Sequence, residues 1–390
     1  MRKVLYISGS RADYGPARRL LLEIQRNSDF ELGVLVTGMH LDPNHGETWS
    51  EIEKDGLKII TKIHGRLVGD SLGAMAASLG LYLYGMSHAI ESYEPDIVLV
   101  LGDRSEQLAG AMAAAFQNIA VVHLCGGTLS GSIDDSIRHA ITKFSHYHFP
   151  MVQEAAQRIL QMGENPEHIS IVGLPGGNIS PDVTYTSEQI YEKFSLPKKQ
   201  PYILVIQHAV TQSQSEAVQQ ITETLEAVSS LNYPTLLANP NDDAGSKAIS
   251  EQLMAYAEKY CHLKILHPPK SRELFASIMA HAGVLVGNSS SGIVEAMSVN
   301  TPVVNIGDRQ RGRESLAYLL NTDYQQHAIV DAIRKALEDP HFVTGFQSFL
   351  SEGIINNTED LIINRLATLE LDISRNPKVF HRLNHRVNEL

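Results

Sequence analysis

Two cysteines, Cys125 and Cys261, are all that the 390 residues contain, and they stand far apart. That excludes a disulfide framework, and the absence of a Cys-x-x-Cys pair excludes the commonest zinc-site spacing. Positive charge is also scarce. The 32 Lys and Arg against 44 Asp and Glu leave a formal charge of −12, so a nucleic-acid backbone is not an expected partner. An anionic ligand stays compatible with this balance, because arginines and helix N-termini act over short distances. Long apolar runs are missing too. No stretch approaches the ~20 residues that a membrane span needs. The opening MRKVLYISGSRADYG carries a short apolar run that suits a core strand and not a secretory signal. The expectation is a cytoplasmic chain with no membrane partner.

What is present is an ordinary enzyme composition, 43% hydrophobic and 19% charged, at a length that suggests two domains. In the first half, apolar runs at 4–8, 32–37, 96–101 and 120–124 alternate with helical patterns at 14–26, 72–92, 106–116 and 134–145. In the second half, strand candidates at 202–207, 235–238, 264–267, 283–287 and 302–306 alternate with helical stretches at 213–231, 244–259, 271–281 and 292–298. Strand followed by helix, repeated, argues for parallel sheets covered on both faces. The segment VGLPGGN at 172–178 is the hinge candidate between the two series. The resulting expectation is an α/β protein of two doubly wound domains, with ligands beyond the carboxyl ends of the strands.

The residues after those strands carry the chemistry. GSRADYG offers a glycine turn opening a helix, with Arg11 as a fixed positive charge. Phosphate contact and a solvated arginine beside an ordinary turn both fit these letters. GDRSE places Asp103 and Arg104 at the next strand end, where Asp103 either caps a helix or moves protons. In HLCGGTLSGSIDDSIRHAI, Asp134 and Arg138 are four apart, as are Asp135 and His139. Such pairs contribute roughly 0.2–0.5 kcal/mol each to an exposed helix. Spacing alone reads as helix architecture; the neighbouring GDRSE turn favours chemistry.

QHAVT ends a strand with His208, which either titrates near neutrality or serves structure. GNSSSGIVEA is the strongest local signal. Ser289, Ser290 and the turn at Gly292 make an anion cradle suited to a diphosphate, and Glu295 can accept from a ribose diol. Capping alone needs fewer serines. GDRQRGRE then adds Arg309, Arg311 and Arg313.

Together with TGMHLDPNHGETWSEIEKDG and PNDDAGS, these stretches resemble the hydrolysing UDP-N-acetylglucosamine 2-epimerases, in family order from residue 8 to about residue 314. The resemblance implies a GT-B fold: an N-terminal Rossmann-like domain over 1–172, a nucleotide-binding one over 173–360, and a helical tail over 361–390 packing back on the first. It implies conversion of UDP-N-acetylglucosamine, or a close 2-acetamido sugar nucleotide, plus water to free N-acetylmannosamine, or its analogue, and UDP. That reaction feeds nonulosonic (sialic-type) acid synthesis. No metal or redox cofactor is implied, and a homodimer or homotetramer is. By position, Asp103 and Asp134 match the acid–base carboxylates. His208 matches the histidine at the diphosphate, with protonation of the leaving group as a further role. Arg11, Ser289, Ser290, Gly292, Glu295 and Arg313 match nucleotide contacts, and His45, Arg104, Asn241 and Arg309 further substrate contacts.

The chain departs from that pattern at Cys125 and Thr128, where relatives carry His or Glu and then Glu. A thiol carries protons less readily than a carboxylate at neutral pH; the expectation is an altered substrate preference. Three alternatives stay open: a non-hydrolysing epimerase, a hydrolysing enzyme for UDP- or GDP-linked 2,4-diacetamido-trideoxy sugars, and a catalytically silent nucleotide-sugar binder. A GT-B glycosyltransferase would share the nucleotide side but would not need the Asp103 and Asp134 pair.

Overall fold

The computed structural model describes residues 1–67, 71–177, 179–198, 200–210, 215–241, 243–269, 271–289, 295–296, 298–310, 319–344, 357–373 and 377–382. Its first sheet consists of β1 (Arg2–Ser8), β2 (Phe30–Thr37), β3 (Ile59–Ile63), β4 (Ile97–Leu101), β5 (Ala120–Leu124) and β6 (Tyr147–Phe149). All pairings are parallel, in the order β3-β2-β1-β4-β5-β6. The second sheet is built from β7 (Ile203–Ile206), β8 (Thr235–Ala238), β9 (Leu263–Leu266), β10 (Val284–Gly287), β11 (Val303–Ile306) and β12 (Leu319–Thr322). Its order, β12-β11-β10-β7-β8-β9, repeats the same winding. Each sheet is a Rossmann-type unit whose strand order reverses beside its first strand, opening a crevice at the carboxyl edge.

The β-branched and leucine-rich strands bury both faces. In β1, Val4 and Tyr6 face α1 (Arg11–Arg26), while Leu5 and Ile7 face α3 (Leu72–Tyr93) and α4 (Ser105–Phe116). Alternation therefore sorts side chains between two cores, and no face is left polar. Gly110 in α4 is required by this packing: a Cβ there would lie 1.8 Å from Ile7 Cδ1. The second sheet divides likewise, with Ile203 and Val205 packing toward α8 (Ala217–Leu231), and Leu204 and Ile206 toward α10 (Arg272–Ala280).

The helix Thr358–Thr368 returns to the first unit. Ile362 and Leu366 join the α1-side core, which contributes about 1.5–3 kcal/mol for each fully buried side chain, and Arg2 donates to the carbonyls of Leu366 and Leu369. Beyond it, residues 369–373 and 377–382 are not helical; the rest of the tail lies outside the described residues. Lys378 of this extended stretch donates to the carbonyls of Thr142 and Ser145, at the end of α5 (Ile133–Phe144). In the 172–178 segment, Gly176 adopts φ 58°. Its backbone lies against Pro16, where a Cβ would come within 2.3 Å of the carbonyl oxygen. The stretch expected as a helix at 292–298 falls largely outside the described residues, as does Asn178. Among the described residues, no helix is long and apolar enough to cross a membrane.

Candidate active site

The carboxyl edges of the two sheets face each other across a cleft of about 330 Å³. Loops after β1, β4 and β5 and the start of α5 line one wall; loops after β7, β8, β10 and β11 line the other.

On the first wall, Asp103 follows Gly102, whose φ of 81° turns the chain out of β4. Its carboxylate receives Nη2 of Arg138, an α5 residue with only 1% of its side chain exposed. Arg138 also donates to the carbonyl of Thr128 at 2.8 Å and to Asp135 at 3.3 Å. It is thus the pin between the β5 loop and α5, a role that its reading as half of an exposed helix pair missed. Asp134 sits in the first turn of α5, after the N-cap Ser132. Burial pushes its carboxyl up, and the charges of Asp103 and Asp243 add to this; Arg309 and Arg104 oppose it. The site therefore sets a carboxylate locked to the Arg138 guanidinium beside a second carboxyl whose pKa burial raises above the ordinary value.

On the second wall, His208 and Asn288 bind each other through backbone and side chain. Asn288 Oδ1 accepts from the His208 N–H at 2.7 Å, and its Nδ2 donates to the His208 carbonyl at 2.9 Å. The Asn241 N–H donates to His208 Nδ1 at 3.0 Å, which leaves Nε2 to carry the ring proton. Burial, with Arg309 and Arg104 nearby, lowers the His208 pKa to about 3. This imidazole is neutral, and its Nε2 can donate a hydrogen bond. Asn288 can sit there because Gly287 adopts φ 143° with the Ile206 carbonyl packed against its Cα.

The walls are joined by charge. Arg309, 5% exposed, donates Nη2 to Asp134 at 3.1 Å and Nη1 to the Asn288 carbonyl at 3.2 Å, while its own carbonyl accepts from the Gly131 N–H at 2.9 Å. Arg104 of the first wall reaches Asp243 of the second at 3.1 Å, and Asp243 lies 3.7 Å from Arg309. Burial works against the charge on Asp243, yet Arg104 and Arg309 hold its carboxyl below the usual carboxylate range.

Arg11 lines the cleft but is ion-paired with Glu51, and the turn before it is not an open anion cradle. The N–H groups of Gly9 and Ser10 both go to Asp13, at 3.0 and 2.9 Å. The capping box Ser10–Asp13 consumes these helix-start donors. Burial raises the Asp13 carboxyl to about 7. Glu295, expected at a ribose, lies 2.8 Å from Arg272 Nη1, so a diol would compete with that guanidinium. His45 lines the cleft with Nδ1 against Asp42 at 2.7 Å. Cys125 and Thr128 both line the cleft on the first wall; Cys125 takes the left-handed φ of 63°, and Thr128 is buried. Ser289 is buried at the cleft; Ser290, Gly292, Arg311 and Arg313 lie outside the described residues. Thus Asp103, Asp134, His208, Arg104, Asn241 and Arg309 converge. Sequence reasoning missed Asn288, Asp243 and Arg272, although the first two stand in the GNSSSGIVEA and PNDDAGS stretches, each just beyond a strand.

The model of the UDP-N-acetylglucosamine 2-epimerase family matches residues 22–352. The chain belongs to this family. It is 38% identical over 343 residues to the UDP-N,N'-diacetylbacillosamine 2-epimerase (hydrolyzing) of Legionella pneumophila, spanning 87% of this chain and 90% of that one. To the UDP-N-acetylglucosamine 2-epimerase of Neisseria meningitidis serogroup B it is 35% identical, over 86% and 88% of the two chains. Among solved structures it is similar to a UDP-GlcNAc 2-epimerase from Neisseria meningitidis bound to UDP-GlcNAc, with TM-score 0.78 and 17% identity, covering 94% of this chain and 100% of that one. The fold is therefore GT-B, as the motifs of this 2-epimerase family imply.

Proposed function

We propose that the chain is a hydrolysing nucleotide-sugar 2-epimerase. It takes UDP-N-acetylglucosamine, or a 2-acetamido sugar nucleotide carrying a further 4-acetamido group, and releases UDP and the free 2-epimeric sugar. The observation that carries this reading is the pairing, in one cleft, of the Asp103–Arg138 and Asp134–Arg309 carboxylates opposite His208. The hydrolysing relative at 38% identity supports the same reaction class, and its sugar supports the diacetamido option.

Asp103 takes the proton from carbon 2 while the bond from carbon 1 to the diphosphate oxygen breaks, giving a glycal. Arg309, Arg104 and the neutral His208 stabilise the departing diphosphate. Asp134, whose surroundings favour a held proton, then delivers it to carbon 2 from the other face. Water adds at carbon 1, and its proton returns to Asp134. The atoms balance as sugar nucleotide plus water to free sugar, UDP and one proton, which Asp103 gives up to solvent. The free amino sugar is of the kind consumed in building nonulosonic acids.

Incubation with UDP-N-acetylglucosamine and with UDP- and GDP-linked diacetamido-trideoxy sugars, followed by product analysis, tests this. Free sugar with nucleoside diphosphate from at least one substrate is the expected result. An intact epimerised sugar nucleotide, or binding without turnover across the panel, overturns it.

A further inference from the structure

Asp243 is a buried carboxylate to which neither acid–base nor nucleotide contact has been given. It stands after β8 of the second sheet, 4% exposed, with three partners. Arg104 approaches it across the cleft at 3.1 Å, Arg309 stands at 3.7 Å on its own side, and the Asn241 amide donates to it at 2.6 Å. Arg309 in turn reaches back across the cleft to Asp134. The result is a continuous chain of charges, Arg104–Asp243–Arg309–Asp134, that crosses between the walls twice.

From this geometry we infer that Asp243 is a positioning residue of the proposed epimerase. It clasps the two lobes through Arg104, and it orients Arg309 toward both Asp134 and the diphosphate position. The inference rests on the activity proposed above, but the clasp itself does not.

A surface ion pair would carry little such weight. This carboxylate is buried, and each guanidinium also serves a second contact. Arg104 stands at the start of α4 with its Nε 4.0 Å from Glu106, and Arg309 spans Asp134 and the Asn288 carbonyl. Removing the charge of Asp243 frees two arginines whose other nearby carboxylates are Glu106, Asp134 and Asp103. Asp103 is already engaged by Arg138.

Among the described residues, the charges that bear on Asp134 include Asp103 and Arg104 from the β4 loop, Arg138 from α5, Asp243 from the β8 loop and Arg309 from the β11 loop. Asp243 is one of those that favour the protonated form of Asp134, and Arg104 and Arg309 oppose it. Asp243→Asn deletes the first influence and releases both arginines toward Asp134, so the proton on Asp134 is held less firmly. As proton donor, Asp134 must be protonated, and its loss sets the alkaline limb of the rate profile. That limb moves to lower pH.

The experiment compares the full-length wild type with Asp243→Asn and Asp243→Glu. Small-angle scattering of the unliganded protein reports the clasp, and the pH profile of kcat with the turned-over sugar nucleotide reports the positioning. The expected results are a larger radius of gyration for Asp243→Asn and an alkaline limb about half a unit lower. Its kcat falls about tenfold or more, and Asp243→Glu recovers most of that loss. Unchanged scattering, an unmoved limb, or a uniform loss at every pH without recovery by glutamate overturns the inference. If Asp243→Asn does not fold, Arg104→Met opens the same pair from the other side and must give the same expansion. A wild type that turns over no sugar nucleotide refutes the proposed activity, and scattering alone then decides the clasp.

Discussion

Arg309 and Asp134 meet across the cleft at 3.1 Å, one from the second sheet's β11 loop and the other from the first turn of α5. A planar guanidinium holds the Asn288 carbonyl and this carboxylate at once, which the point charge of a lysine does not reproduce. Arg309→Lys is expected to lower kcat/KM about tenfold, and Arg309→Met about 10²–10³-fold. Steady-state kinetics on the accepted sugar nucleotide checks both, and equal rates for lysine and arginine would refute the two-acceptor role.

Asn288 is fully buried and accepts from and donates to the backbone of His208. Asn288→Ala leaves the half-buried His208 N–H and carbonyl without this partner, at a cost of up to about 1–3 kcal/mol each. A lower midpoint in denaturant titration is expected, together with lost activity as His208 shifts. Asn288→Asp restores an acceptor but no donor, and falls between the two.

The buried histidines set the response to acid. Burial lowers His40, His123 and His208 to about 3, and His146 and His148 to about 4. The unfolded chain, with histidines near 6.5, binds more protons than the folded one between those values and about 6.5. The stabilisation is therefore fully present above about pH 6.5 and is lost as the pH falls, by up to about 1.4 kcal/mol per pH unit for each group. Asp13, raised to about 7, works the other way, because the folded state holds its proton through the same window. Burial lowers His139 and His168 as well and raises Glu23, Glu51 and Asp134 alongside Asp13. Seven histidines against four carboxyls leave a net loss of stability on acidification from pH 7 to 5. Thermal melts along that series check the sign, and His123→Asn is expected to flatten the slope.

Much of this was legible in the letters. Strands such as ILVI and VVNI are short apolar runs bounded by turn residues, and both sheets follow from them. The strands β3, β6 and β12 escaped because IITKI, YHF and LLNT are short or mixed, and they lie at sheet edges, where one neighbour is enough to hold them. The helices Gln153–Gln161 and Gln326–Glu338 are amphipathic patterns that the sequence reading passed over. In the site, position after a strand singled out Asp103, Asp134 and His208. What position could not reveal was pairing over long sequence separations. Arg104 and Asp243 are 139 residues apart, and only the folded cleft brings them together. Asp13 taking the Gly9 and Ser10 amides was closer to hand, as an aspartate three residues after a serine at a helix start is a capping signal.

The central claim is proton exchange at carbon 2 coupled to loss of the diphosphate, and turnover in deuterium oxide tests it most directly. With UDP-N-acetylglucosamine or its diacetamido analogue, mass and NMR analysis is predicted to find UDP and free 2-epimeric sugar bearing one deuterium at carbon 2, with none formed by Asp103→Asn. Released sugar that keeps its original carbon 2 hydrogen and configuration, or full turnover by Asp103→Asn, would contradict it.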